Sequence, residues 1–100
     1  MRVIFSTLAK QELEDAARYY ELEHEGLGKR FKAEAKRAAR RIARYPLAWS
    51  TERGEIRKCS LHKFPYKLLY SIETDHILII TVAHQHRRPD YWIERVDGLN

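Results

Sequence analysis

The run Ile77 to Ala83 (Ile-Leu-Ile-Ile-Thr-Val-Ala) is apolar on both of its alternating faces. A strand of that kind needs cover on each side, so it is predicted to be the central strand of a sheet with packed elements above and below. The neighbouring stretch, Tyr66 to Glu73, alternates Tyr66, Leu68, Tyr70 and Ile72 against Lys67 and Ser71, as a strand with one buried face does. Thr74-Asp75 between the two is a turn. Glu55 to Leu61 supplies a further strand, and the β-branched Arg2 to Phe5 a first one.

The remaining sequence has helical period. Ser6 is placed to cap a helix whose apolar positions are Ala9, Leu13, Ala16, Ala17 and Tyr20. Gly26 and Gly28, which bracket Leu27, are predicted to stop it. A second helix sets Phe31, Ala35, Ala38, Ala39 and Ile42 on one face and ends before Pro46, because a residue preceding proline disfavours the α region. Pro89 opens a last short helix, followed by Asp90, Tyr91, Trp92 and Ile93. The predicted order is β-α-α-β-β-β-α: one α+β domain over residues 1–100, with a helical hairpin packed on a small, mainly antiparallel sheet.

Charge is divided between the two long helices. Residues 6–25 hold six acids (Glu12, Glu14, Asp15, Glu21, Glu23, Glu25) against Lys10 and Arg18, a net −4. Residues 29–44 hold eight bases (Lys29, Arg30, Lys32, Lys36, Arg37, Arg40, Arg41, Arg44) against Glu34, a net +7. Neighbouring segments of opposite sign are expected to lie side by side. Exposed pairs add only about 0–1 kcal/mol each, so most of these charges read as a solvated face. The surplus of base, within a net charge of +5, points to an anionic partner, either nucleic acid or an acidic protein.

Several classes fall away. No stretch has the apolar length of a membrane span, and the N-terminus has too few apolar residues for a secretory leader. The single Cys59 has no disulfide partner and belongs to no Cys pair for zinc, which fits a reducing cytosol. The five histidines show no metal-ligand spacing, and no cofactor is expected. Cys59 itself reads as a small buried apolar residue, with Lys58 directed to the opposite face.

His62-Lys63-Phe64-Pro65-Tyr66-Lys67-Leu68-Leu69-Tyr70-Ser71-Ile72 resembles a characteristic strand of the RelE/ParE toxin superfamily. Ile80-Thr81-Val82-Ala83-His84-Gln85-His86-Arg87-Arg88-Pro89-Asp90-Tyr91-Trp92 resembles its closing signature. Glu12 to Ala16, Tyr19-Tyr20, Gly26-Leu27-Gly28 and Phe31 match its helical hairpin. Ile42, Pro46 and Ile56-Arg57 follow in its order. The resemblance implies the toxin of a bacterial toxin–antitoxin pair, bound by a cognate antitoxin. It implies one of two targets. ParE-like members poison DNA gyrase without catalytic chemistry, and RelE-like members cut mRNA on the ribosome.

RNA cleavage by 2′-hydroxyl attack needs a base, an acid and cations for the phosphorane. His84, His86, Arg87, Arg88 and Tyr91, with Lys58, Lys63 and Lys67 on neighbouring segments, contain those residue types. Tyr91 matches the functional tyrosine of RelE-like nucleases, but the arginine expected six residues earlier is Gln85 here. The plainer readings are a hydrogen-bonded histidine at a strand end for His84, aromatic packing for Trp92, and a structural role for Phe64-Pro65-Tyr66. The ParE-like reading is therefore preferred, with no catalytic residue. Arg37, Arg40, Arg41, Arg44, Arg57, Lys67, Arg87 and Arg88 are the residues expected to meet antitoxin or target.

Overall fold

The computed structural model describes residues 1–86 and 93–98. In chain order these form β1 (Arg2–Phe5), α1 (Thr7–Glu23), α2 (Leu27–Arg44), β2 (Thr51–Arg53), β3 (Ile56–Ser60), β4 (Tyr66–Ile72), β5 (His76–His84) and α3 (Ile93–Gly98). The five strands make one sheet in the order β1-β5-β4-β3-β2. β1 runs parallel to β5, and every other neighbour is antiparallel. As its two apolar faces required, β5 lies inside the sheet, flanked by β1 and β4, with Ile77 and Ile79 to Ala83 buried.

Two differences from the sequence reading are instructive. The order gains a strand, β2, whose three residues Thr51-Glu52-Arg53 are all polar and offer no apolar alternation to detect. Gly54, at φ +55°, turns the chain between β2 and β3, so β3 begins at Ile56 and not at Glu55. The second difference concerns the hairpin glycines. Gly26, at φ +84°, makes the turn, but Gly28 already lies inside α2. A Cβ at Gly28 would stand 2.3 Å from the Ala17 carbonyl oxygen, so this glycine is where the two helices touch. Pro89 to Trp92, expected to open the last helix, lie outside the described residues, and α3 is described from Ile93.

Ser6 caps α1 as expected. Its Oγ accepts from the Ala9 backbone N–H at 3.0 Å and donates to the Ile80 carbonyl at 3.2 Å, which ties the helix start to β5. The opposed charges of α1 and α2 do not zip together. Among the described residues a single ion pair, Lys32 to Glu14 at 2.8 Å, joins the two helices. The other contribution is a cap: Glu21 accepts from the backbone N–H groups of Gly26 (2.8 Å) and Gly28 (3.0 Å). These bonds, Gly26 first, hold its carboxyl below the usual range, and the N-terminal dipole of α2 favours the same ionised form.

The sheet is covered on both faces. Toward the hairpin, Ala9, Ala16, Ala17, Phe31, Ala35, Ala38 and Ile42 pack on Leu68, Tyr70, Ile77, Ile79 and Val82. Phe31 is fully buried, with its ring 5.0–5.3 Å from those of Tyr20, Phe64 and Tyr66. The opposite face holds a smaller core of Ile56, Leu69 and Ile80, with Leu78 beside it and α3 contributing Ile93 and Val96. Ordinary alternation sends Ile77 and Ile79 to the first core and Leu78 and Ile80 to the second, and a register shift, with Leu69 paired to Thr81 but Tyr70 to Ile79, makes Ile80 the extra residue and lets Val82 rejoin the hairpin side.

The contact at Gly28 sets an expectation. Gly28→Ala forces the hairpin apart and costs about 1–3 kcal/mol, the range for overpacking. Urea denaturation reads this directly, and an unchanged midpoint would show that the helices separate freely there.

Candidate interaction surface

The exposed face of α2 is a cationic stripe. Lys29, Arg30, Lys36, Arg37, Arg40 and Arg44 all face solvent. Arg37 bonds Glu34 one turn earlier, and Arg44 lies over the Tyr45 ring at 5.7 Å. Among the described residues Lys29, Arg30, Lys36 and Arg40 have no ion-pair partner. The α2 carbonyls end beside Arg41 and Arg44, whose positive charge suits the helix C-terminus.

The remaining expected contact residues divide differently. Arg41 turns inward and donates to the Ser60 carbonyl at 3.1 Å, near the Cys59 sulfur at 4.0 Å. Arg57 donates to the Trp49 carbonyl at 2.5 Å and braces the segment that follows α2. Lys67 is bonded to Glu52, and Lys58 stands 3.6 Å from the same carboxylate. Arg87 and Arg88 lie outside the described residues, as does Tyr91. Of the eight residues expected to bind, Arg37, Arg40 and Arg44 thus form one open surface, while Arg41, Arg57 and Lys67 are engaged within the fold.

The groups suited to nuclease chemistry are divided by the sheet. Tyr66 and His84 are paired across β4 and β5, with their rings 5.1 Å apart on the hairpin side. Lys58 and Lys67 alternate to the other side, level with Leu69. His84 Nδ1 accepts from the His86 backbone N–H at 3.1 Å. The His86 ring lies 5.2 Å from that of His84. Lys63 is exposed in the β3–β4 loop at φ +71°. Lys58 and Lys67 thus stand on the face opposite His84 and Tyr66, while Lys63 lies on the hairpin side beside Arg30, Arg37 and Phe64. Among the described residues no three His, Cys, Asp or Glu side chains stand together as a metal site. Cys59 is 1% exposed, and burial pushes its thiol up against the smaller opposing effect of Arg41.

Three features were not read from the sequence. A groove of about 1100 Å³ crosses the sheet face away from the hairpin, with Ile56, Leu78, Ile80, Ile93 and Val96 among its lining and Arg53 and Glu73 at its borders. The exposed Leu47 and Ile72 extend its apolar lining and were the available signal. The second feature is Glu12, which accepts from Thr81 Oγ1 (2.9 Å), the Val82 N–H (3.1 Å) and both terminal nitrogens of Arg95 (2.9 and 3.0 Å). It fastens α3 to α1 past the end of β1. The third is Glu52, bound to both lysines through the polar strand β2.

A small α+β domain with an exposed basic helix face and a groove on the far side of its sheet is the class this geometry defines. The family described as "ParE toxin of type II toxin-antitoxin system, parDE" matches residues 3–89, and the chain belongs to it. Among solved structures, the chain is similar to one titled "Chromosomal ParDE TA system from P. aeruginosa", with a TM-score of 0.62 and 11% identity, covering 84% of this chain and 95% of that one. That likeness concerns the fold. No curated protein matches in sequence. As for the membrane, no helix among the described residues is long and apolar enough to cross one.

Two outcomes follow from the site. Cys59 reacts with a thiol reagent at pH 8 only as fast as the chain unfolds, and rapid stoichiometric labelling of the native protein would contradict its burial. Glu52, held below the usual carboxylate range first by its bond to Lys67, contributes stability above pH of about 4.5 that is lost as pH falls through its lowered value. Glu52→Gln therefore lowers the urea midpoint at pH 7, and the difference closes in acid. A gap that persists undiminished at low pH would assign the loss to packing.

Proposed function

We propose that this ParE-family toxin arrests growth by binding a protein target, DNA gyrase, without catalysing a reaction, and that its antitoxin neutralises it by covering the basic face of α2 and the open sheet face. The observation that carries this reading is that the sheet separates His84 from Lys58 and Lys67, and that Glu52 offsets part of the two lysines' charge. What the fold leaves open instead is contact surface. An apolar groove bordered by charge suits a partner's hydrophobic segment, and the cationic stripe of α2 suits an acidic one and speeds its encounter.

The alternative is a ribosome-dependent mRNA endoribonuclease using His84, Arg87, Arg88, Tyr91 and Lys58. The two differ in what a mutation does. A binding surface spreads its energy over several residues, and most single truncations cost under about 1 kcal/mol. An acid–base or nucleophilic group is indispensable in a way a rim residue is not.

Added to purified gyrase, the toxin is expected to inhibit supercoiling of relaxed plasmid. Tyr91→Phe with Arg87→Ala should leave the inhibitory concentration within about fivefold, as rim contacts would. Unimpaired supercoiling, with mRNA cut in a translating extract and that cutting abolished by the same double substitution, would replace this reading with the nuclease one. For the antitoxin, Arg37→Glu with Arg40→Glu is expected to weaken the complex at low salt and to flatten its salt dependence, measured by calorimetry. Unchanged affinity would remove α2 from the interface.

A further inference from the structure

On the sheet face away from the hairpin, Lys58 of β3 and Lys67 of β4 converge on one acid. Glu52 Oε1 is bonded to Lys67 Nζ, and Glu52 Oε2 lies 3.6 Å from Lys58 Nζ. Glu52 reaches them because the β2–β3 pairing shifts register between Thr51 and Arg53, with Glu52 the residue between the two pairs. The side chains of Glu52 and Lys67 are 16% and 19% exposed, and that of Lys58 39%. The charges are therefore only partly screened by solvent.

Two ammonium groups on neighbouring strands are the arrangement that binds a nucleic-acid backbone, where each phosphate neutralised releases counterions. Here a carboxylate already fills that role. A phosphate entering the site has to displace Glu52 and then meets its charge a few ångströms away, an interaction that remains large in a partly dry site. The α2 stripe has no such guard. Arg40 has no ion-pair partner among the described residues, and the only acid bonded to the stripe, Glu34, meets Arg37 alone.

We propose that Glu52 is a specificity-determining residue that keeps the open sheet face from binding single-stranded RNA, by occupying Lys58 and Lys67 with the protein's own carboxylate. The inference goes beyond the gyrase reading and holds whichever target the toxin has, since it concerns what one face rejects. It also separates this face from α2, whose cations stay available to an acidic partner.

The test is binding of a fluorescein-labelled single-stranded RNA of mixed sequence, followed by anisotropy at about 50 and about 200 mM salt. Glu52→Gln is expected to bind about tenfold tighter than the unaltered chain at the lower salt, with a salt slope steeper by about 0.7, which is the one further phosphate that loss of one negative charge admits on a single strand. Adding Lys58→Ala and Lys67→Ala to Glu52→Gln should erase the whole gain. In the unaltered background, Lys58→Ala with Lys67→Ala should flatten the salt slope by no more than about 0.7, the one charge of the pair that Glu52 leaves uncovered. That arm serves even if Glu52→Gln folds poorly. The proposal is overturned if Glu52→Gln binds no tighter, if the gain survives loss of both lysines, or if removing the lysines alone flattens the slope of the unaltered chain by the full ~1.4 of two phosphates. Supercoiling by gyrase is a separate readout, so failure here leaves that assay's result intact.

Discussion

The backbone of α2 passes α1 so closely at Gly28 that one methyl group would meet the Ala17 carbonyl oxygen, and the rest of the molecule depends on that approach. With no side chain at the contact, the alanine faces of both helices reach the sheet together. Phe31 then sinks fully between Tyr20, Phe64 and Tyr66. A buried ring of this kind is worth about 3–5 kcal/mol against alanine, so the hairpin and the Phe64-Pro65-Tyr66 segment are held as one body. Burying the apolar face of α2 fixes the opposite face outward. The cationic stripe is thus a consequence of how the hairpin packs.

The opposite side of the sheet follows from a second local device. Alternation along β5 feeds two cores, the extra residue Ile80 resets it so that Val82 still faces the hairpin, and the second core is small enough to leave a groove beside α3. Two carboxylates organise the polar groups around it. Glu12 collects Thr81, the Val82 amide and Arg95, which satisfies part of β5 beyond the reach of β1 and anchors α3. Glu52 collects Lys58 and Lys67. Each acid converts what would be loose surface charge into a fixed arrangement. Each also holds a cation within the fold.

Much of this was legible in the residues. The doubly apolar Ile77–Ala83 required an interior strand, and β5 is one. The alternation from Tyr66 marked β4, and the spacing of Ala9, Ala16 and Ala17 marked the buried side of α1. What escaped has physical reasons. β2 is three polar residues whose pairing comes from the Gly54 turn and from β3, so no local periodicity announces it. Gly28 looked like a helix stop because a glycine needed for close approach is indistinguishable, in sequence, from one needed for a turn. The expected zipper between acidic α1 and basic α2 reduced to one pair, because the helices meet through their alanines and turn most charges to solvent. For the candidate site, composition identified the cations but not their partners. Whether Lys67 or Arg41 is free is a matter of which strand lies beside it, and that is a property of the sheet.

The central claim is that growth arrest comes from a bound protein target on the DNA side and not from RNA cleavage. Pulse labelling of DNA and protein synthesis in cells just after induction of the chain tests it most directly. The account predicts that DNA synthesis stops first while translation continues for a time. Early collapse of translation with DNA synthesis still running would contradict it and would make the His84 to Tyr91 region a nuclease site.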